Sequence, residues 1–161
     1  MSSLKTNVIL NYINTLASIV FPLITFPYAA RILLPEGIGL VNFQNSIIGY
    51  ITLLSSLGIP LYAVREVARV RDNLEERNRV TVEIVLLSLV LAAGGYVIVF
   101  AVGELVPQIN AHLSLFYILS LSILFTALGV SWFYTAIEDF KFITIRGLII
   151  RLLFVVALFL F

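Results

Sequence analysis

The sequence has no cysteine, one histidine and one tryptophan, and only 12% of its 161 residues are charged. Without cysteine there are no disulfides, thiolate metal sites or cysteine nucleophiles, and the redox compartment cannot be read. The scarcity of charge excludes an ordinary soluble domain, where roughly 25% of residues would be charged. His112 sits in a short connection without the partners a metal site requires. No nucleophile elbow, P-loop or dinucleotide fingerprint is present, so no catalytic residue, metal or cofactor is expected and the chain does not read as an enzyme. A cleavable leader is also a poor reading of the first apolar stretch. It is too long, carries Asn7, Asn11 and Asn14, and has no small-residue cleavage site after it.

What is present is apolar surface: 61% hydrophobic residues and a mean hydropathy of +1.09. Residues 6–30, 37–64, 84–103 and 105–137 each lack Asp, Glu, Lys and Arg. A bilayer core about 30 Å thick needs roughly 20 apolar residues per helix, so each stretch can cross it. The sequence therefore predicts an all-α, polytopic transmembrane bundle with spans near 8–30, 38–63, 84–103, 113–135 and 143–161. The last span ends inside an apolar run only ten residues after Arg151, which reads as a fragment of a longer chain.

The charges set an expected orientation. Lys5, then Arg65, Arg69, Arg71, Arg77 and Arg79, then Lys141, Arg146 and Arg151 fall on one side, against Arg31 alone on the other. Positive charges of short loops stay cytoplasmic, so the N-terminus is expected inside. Within residues 65–83 five acidic side chains balance five arginines, which argues against a polybasic lipid site or a nucleic-acid patch. That segment reads as a helical hairpin or helix extension with exposed Arg71–Glu75 and Glu75–Arg79 pairs. Glu138 and Asp139 are adjacent, so on a helix they point about 100° apart and do not form an acid–base pair.

Two helix faces stand out. Asn7, Asn11, Asn14, Ser18 and Thr25 share one face of the first span, and Asn42, Asn45, Gly49, Thr52 and Ser56 share one face of the second. Unpaired amides are costly in hydrocarbon, so these faces either line a watery cavity or hydrogen-bond a neighbouring helix. With Arg31 at the end of the first span, the candidate cavity residues are Asn11, Asn14, Ser18, Thr25, Arg31, Asn42, Asn45 and Thr52. Pro22 and Pro27 predict a bend or break in the first span, and Gly58 and Pro60 punctuate the second. Gly94 and Gly95 read as close-packing positions.

The run Phe21-Pro22-Leu23-Ile24-Thr25-Phe26-Pro27-Tyr28 leads to Ala30-Arg31-Ile32-Leu33 and then to Pro35-Glu36-Gly37-Ile38-Gly39-Leu40-Val41-Asn42-Phe43. Leu57-Gly58-Ile59-Pro60 and Val64-Arg65-Glu66-Val67-Ala68 follow. Over about residues 7–73 this combination resembles the bacterial polysaccharide biosynthesis flippases, the O-antigen and capsule transporters of the multidrug/oligosaccharidyl-lipid/polysaccharide exporter superfamily. The resemblance implies that residues 1–161 are part of the N-terminal lobe of a two-lobe exporter in the bacterial cytoplasmic membrane. The implied substrate is an undecaprenyl-pyrophosphate-linked oligosaccharide, moved from inner to outer leaflet by alternating access through a cationic cavity. Membrane lipids and polysaccharide polymerase and ligase machinery are the partners it suggests, with no role for nucleic acid. Spans 1 to 4 contribute little positive charge to such a cavity, so most of its cations are expected elsewhere. Two alternatives remain: a cation-coupled drug antiporter of the same superfamily, and a non-transporting scaffold of polysaccharide assembly.

Overall fold

The computed structural model describes residues 4–160, and all regular structure among them is helical. Seven helices follow in order: α1 (Leu4–Ser56), α2 (Ile59–Arg69), α3 (Leu74–Leu105), α4 (Pro107–Asn110), α5 (Leu113–Ala127), α6 (Ser131–Ala136) and α7 (Phe140–Leu160). The all-α bundle is as expected. The stretches Val8–Arg69, Leu74–Leu105 and Leu113–Ala136 are long and apolar enough to cross a membrane. The chain is a multi-pass membrane protein.

The first of these stretches, at 62 residues, would extend about 90 Å as one rod, far more than one bilayer core. It is interrupted at Leu34, which has φ 57 and ψ 168. The cause is local: Pro35 disfavours helical geometry in the residue before it and is itself well suited to begin a helix. The two arms of α1, residues 4–33 and 35–56, then find different partners. Leu10 and Phe21 of the first arm meet Thr144 and Phe154 of α7, so the arm and α7 run parallel. Gln44 of the second arm reaches the His112 carbonyl at the start of α5, and Ser55 lies against Gly95 of α3. The chain therefore reverses at Leu34.

Two apolar clusters hold the bundle. Ile48, Val99, Ile109, Phe116 and Ile123 pack toward the end where α3 finishes and α5 starts. Ile59, Ala63, Val67, Ile84, Trp132 and Ala136 pack toward the opposite, arginine-rich end. α3 joins them through one stripe: Ile84, Ser88, Ala92, Gly95, Val99 and Gly103, spaced by three or four residues. Four of these six residues are Ser, Ala or Gly, and small residues allow close helix approach where no hydrophobic effect drives association.

Several expectations change at this level. α1 remains helical through Pro22 and Pro27, with no break there. In hydrocarbon each freed backbone group is costly, so the helix is kept despite the two missing donors. The second and fourth spans are instead interrupted, at Leu57–Gly58 and at residues 128–130. Gly58 takes φ 75 ahead of Pro60. Residues 65–69 end α2 and residues 74–83 begin α3, joined by a turn at 70–73, so this segment is a helical hairpin made of two helix extensions. Asn73 caps α3, its Oδ1 accepting from Glu75 N at 3.1 Å and Glu76 N at 3.3 Å.

That cap also changes the ion pairs. Arg71 lies ahead of the helix, so it cannot pair with Glu75 along one face. Its Nη1 donates instead to Glu138 Oε1 at 3.2 Å, and Arg79 Nε donates to Glu83 Oε1 at 2.9 Å. The latter bond raises the Arg79 pKa above its ordinary value. Both pairs are exposed and contribute little to stability. Asp139 Oδ1 accepts from Phe142 N at 3.2 Å, within the first turn of α7, so both carboxylates have structural partners. Asn7, the first member of the polar face, has its side chain outside the described residues, as has Phe161 at the end of the expected fifth span.

Candidate functional site

α7 begins at Phe140, three residues earlier than the expected span, and this moves two arginines inward. Arg146 and Arg151 lie six and eleven residues beyond its start. At 1.5 Å per residue they lie about 9 and 16 Å along the helix from its start. Arg146 Nη2 donates to Ser131 Oγ at 2.5 Å, and its guanidinium lies 5.9 Å from the Phe142 ring centroid. Arg151 Nη1 donates to Asn14 Oδ1 at 3.0 Å and to the Asn14 carbonyl at 3.2 Å. The sequence reading counted both arginines among the cytoplasmic charges, although its fifth span, 143–161, already contained them.

The seam around Arg151 is built from neighbouring turns of two helices. Thr144, 3% exposed, donates from Oγ1 to the Leu10 carbonyl at 3.3 Å. One turn on, Gly147 faces Asn14; a Cβ there would stand 3.3 Å from Asn14 Oδ1, tight enough to push the amide aside. Arg151 follows, and then the Phe21 and Phe154 rings meet edge-on with centroids 5.6 Å apart. Small, polar and aromatic residues thus bring the first arm of α1 close enough to α7 for one amide to hold one guanidinium.

The electrostatic balance of this seam is uneven. The ion pairs among the described residues join Arg69 to Glu66, Arg71 to Asp72 and Glu138, and Arg79 to Glu83, all at the arginine-rich end. None involves Arg146 or Arg151. An amide can accept from a guanidinium but does not neutralise it. A cation within a membrane-embedded helix would cost some 3 kcal/mol or more on insertion scales and would mark a functional position.

The candidate residues named from the sequence divide into three groups. Asn14 is half-buried and bound to Arg151. Ser18, Thr25 and Thr52 donate to backbone carbonyls of their own helix, at Thr15, Phe21 and Ile48. Asn11, Arg31, Asn42 and Asn45 are exposed. Asn42 and Asn45 flank the fully buried Gln44, so their face of α1 is turned away from α3 and α5. Thus the structure joins Asn14 to a partner and brings none of the second-arm amides to it.

Sequence reasoning missed Arg146, Arg151, Thr144 and Gln44. The available signal was that Arg151 is flanked by Leu148, Ile149 and Ile150 on one side and Leu152, Leu153 and Phe154 on the other. Such flanks are those of a membrane-embedded charge, not of a loop. Gln44, with 0% exposure, leaves Oε1 without a hydrogen bond among the described residues and has no comparable signal.

Comparison with known proteins extends this picture over the whole chain. It is 24% identical over 159 residues to the protein named "Putative O-antigen transporter" of Escherichia coli (strain K12). That similarity covers 99% of this chain and 38% of the relative, so the chain spans well under half the relative's length. No solved structure matches. The family model described as polysaccharide biosynthesis protein matches residues 4–161 and so takes in the arginines of α7 as well as the motifs near the N-terminus. The chain belongs to the polysaccharide biosynthesis protein family.

Proposed function

We propose that this chain is part of the N-terminal lobe of a two-lobe transporter that moves a lipid-linked oligosaccharide from the inner to the outer leaflet of the bacterial cytoplasmic membrane. The named relative supports transport of an O-antigen-type substrate. The observation that carries the reading further is Arg151, a guanidinium deep in α7 held by an amide and by no carboxylate. A hydrophilic glycan bearing a pyrophosphate cannot enter hydrocarbon without cationic partners, and arginine binds phosphate oxygens through paired donors. Asn14 and Arg151 would receive that group. Asn11, Ser18, Asn42, Asn45 and Thr52 would supply polar wall to the sugars. Arg31, exposed at the far end of the first arm, is suited to a phosphate at the outer interface. The arginine-rich end faces the cytoplasm in this reading, with the N-terminus inside.

The drug-antiporter alternative requires a carboxylate buried among the spans. Glu83 is exposed and bonded to Arg79, and Glu104 is exposed at the end of α3. Catalysis has no support in the site either, since the seam holds no nucleophile beside a base.

The test uses the full-length protein in cells that depend on it for surface polysaccharide. Arg151→Ala is expected to lower export at least about tenfold, the equivalent of one lost charge-assisted contact, with normal membrane abundance, while lipid-linked units accumulate on the cytoplasmic side. Arg151→Lys is expected to recover only part, because a point charge lacks the paired geometry. Undiminished export by Arg151→Ala at normal abundance would reject the assignment.

A further inference from the structure

The two interrupted spans break beside each other. α1 ends at Ser56 and α5 at Ala127, and the last residues of both line one small cavity against α3. Its volume is about 30 Å3, room for one or two particles the size of water. Five hydroxyls line it: Thr52, Ser55 and Ser56 from α1, Ser88 from α3 and Thr126 from α5. It shares no residue with the Arg151 seam.

The chemistry of this lining is one-sided. Each hydroxyl proton is committed to a helix carbonyl: Thr52 to Ile48 at 2.7 Å, Ser55 to Ile51 at 2.8 Å, Ser56 to Leu53 at 3.0 Å, Ser88 to Ile84 at 2.9 Å and Thr126 to Ser122 at 2.7 Å. A hydroxyl has one donor and two acceptor lone pairs, so each oxygen retains only acceptor capacity. Pro60 has no N–H, which leaves the Ser56 carbonyl without its partner four residues on. The next two donors of α2 are already taken, since Leu61 N and Tyr62 N both donate to the Gly58 carbonyl. Oxygen lone pairs therefore dominate a narrow, largely apolar site in which Ser88 is 93% buried, from its 7% exposure.

We propose that this cavity binds a sodium ion. Hard cations take oxygen ligands, but divalent ions require carboxylates to offset their charge, and no Asp or Glu lines the cavity. A proton has no titratable group to occupy there. Neutral hydroxyl and carbonyl oxygens at the ends of broken helices are a donor set used for sodium in membrane transporters. Because the ligands come from the last turns of α1 and α5 and from α3, the ion ties the ends of both interrupted helices to α3, and its loss frees them.

Trp132, the one tryptophan of the sequence, also lines the cavity and reports on it. Fluorescence of the purified protein in detergent is titrated with NaCl, KCl and choline chloride at constant ionic strength. The expected result is a saturable response to Na+ that K+ and choline do not reproduce. In Ser88→Ala/Thr126→Val, whose helicity is verified by circular dichroism, the midpoint rises at least about tenfold. Thr126→Ser, which keeps the oxygen, and Arg151→Ala, which lies elsewhere, retain the wild-type midpoint. If the double variant loses helicity, Ser88→Ala alone carries the comparison. Identical responses to the three salts overturn the proposal and leave water as the occupant; an unshifted Na+ response in the hydroxyl variants overturns it by placing the ion elsewhere.

Discussion

Gly94 and Gly95 are neighbours in α3, yet alanine at the two positions is expected to act in opposite directions. A Cβ on Gly95 would collide with Ser55 Oγ on the facing arm of α1 and stand 3.2 Å from Ser55 Cβ and 3.6 Å from Ile123 Cγ2. Ser55 cannot swing aside freely, because its hydroxyl donates to the Ile51 carbonyl at 2.8 Å. Overpacking of this kind costs about 1–3 kcal/mol, and losing the hydroxyl's bond adds about 1 kcal/mol. Against these stands a gain of about 1 kcal/mol from replacing a helix-interior glycine. The net expectation for Gly95→Ala is a loss of about 1–3 kcal/mol. At Gly94 a Cβ meets nothing within 4 Å, so only the propensity gain remains.

A double-mutant cycle isolates the contact. Unfolding of the purified protein in mixed micelles, followed by circular dichroism, should rank Gly94→Ala at or above wild type and Gly95→Ala below it. Ser55→Gly should recover most of the Gly95→Ala loss, giving a favourable coupling of about 1 kcal/mol or more. Equal stability of the two alanine variants would refute the close approach of α1 and α3 at this level. A loss at Gly95 that Ser55→Gly leaves unrepaired would place the clash elsewhere.

Two further outcomes follow from named contacts. Asn73→Ala removes the acceptor for Glu75 N and Glu76 N and should cost about 1 kcal/mol, with Asn73→Ser retaining most of it, as measured by the same unfolding assay. Because the sequence has no cysteine, single replacements give clean accessibility data: Asn42→Cys and Asn45→Cys should react with a membrane-impermeant thiol reagent far faster than Ile48→Cys, which is buried against α3 and α5. Equal protection of all three would show the amide face to be covered by other helices.

Much of the architecture was legible because hydropathy and charge are properties of consecutive residues. Charge-free stretches of bilayer length mark candidate crossings whatever they pack against. The clustering of Arg65 to Arg79 is likewise visible before any fold is known. The α3 stripe from Ile84 to Gly103 can be counted off at helical spacing. Even the family resemblance, carried by residues near the N-terminus, needed no tertiary information.

Tertiary structure decided what the side chains face. Asn11 and Asn14 sit on one polar stripe, but only Asn14 meets a partner, because α7 crosses beside it with a glycine at 147 and an arginine one turn later. Asn42 and Gln44 are two residues apart and equally polar by composition; packing buries the amide of one and exposes the other. Pro22 and Pro27 look like breaks and are not, whereas the residues around Gly58 and Gly129 interrupt their spans together and enclose one cavity. Arg71 finds Glu138 across 67 positions of sequence. The sequence by itself determined that this chain is a membrane protein of apolar helices and where its charge accumulates, since these depend on transfer energies summed along the chain. Which arginine meets an amide depended on the register between distant helices, which no local pattern encodes.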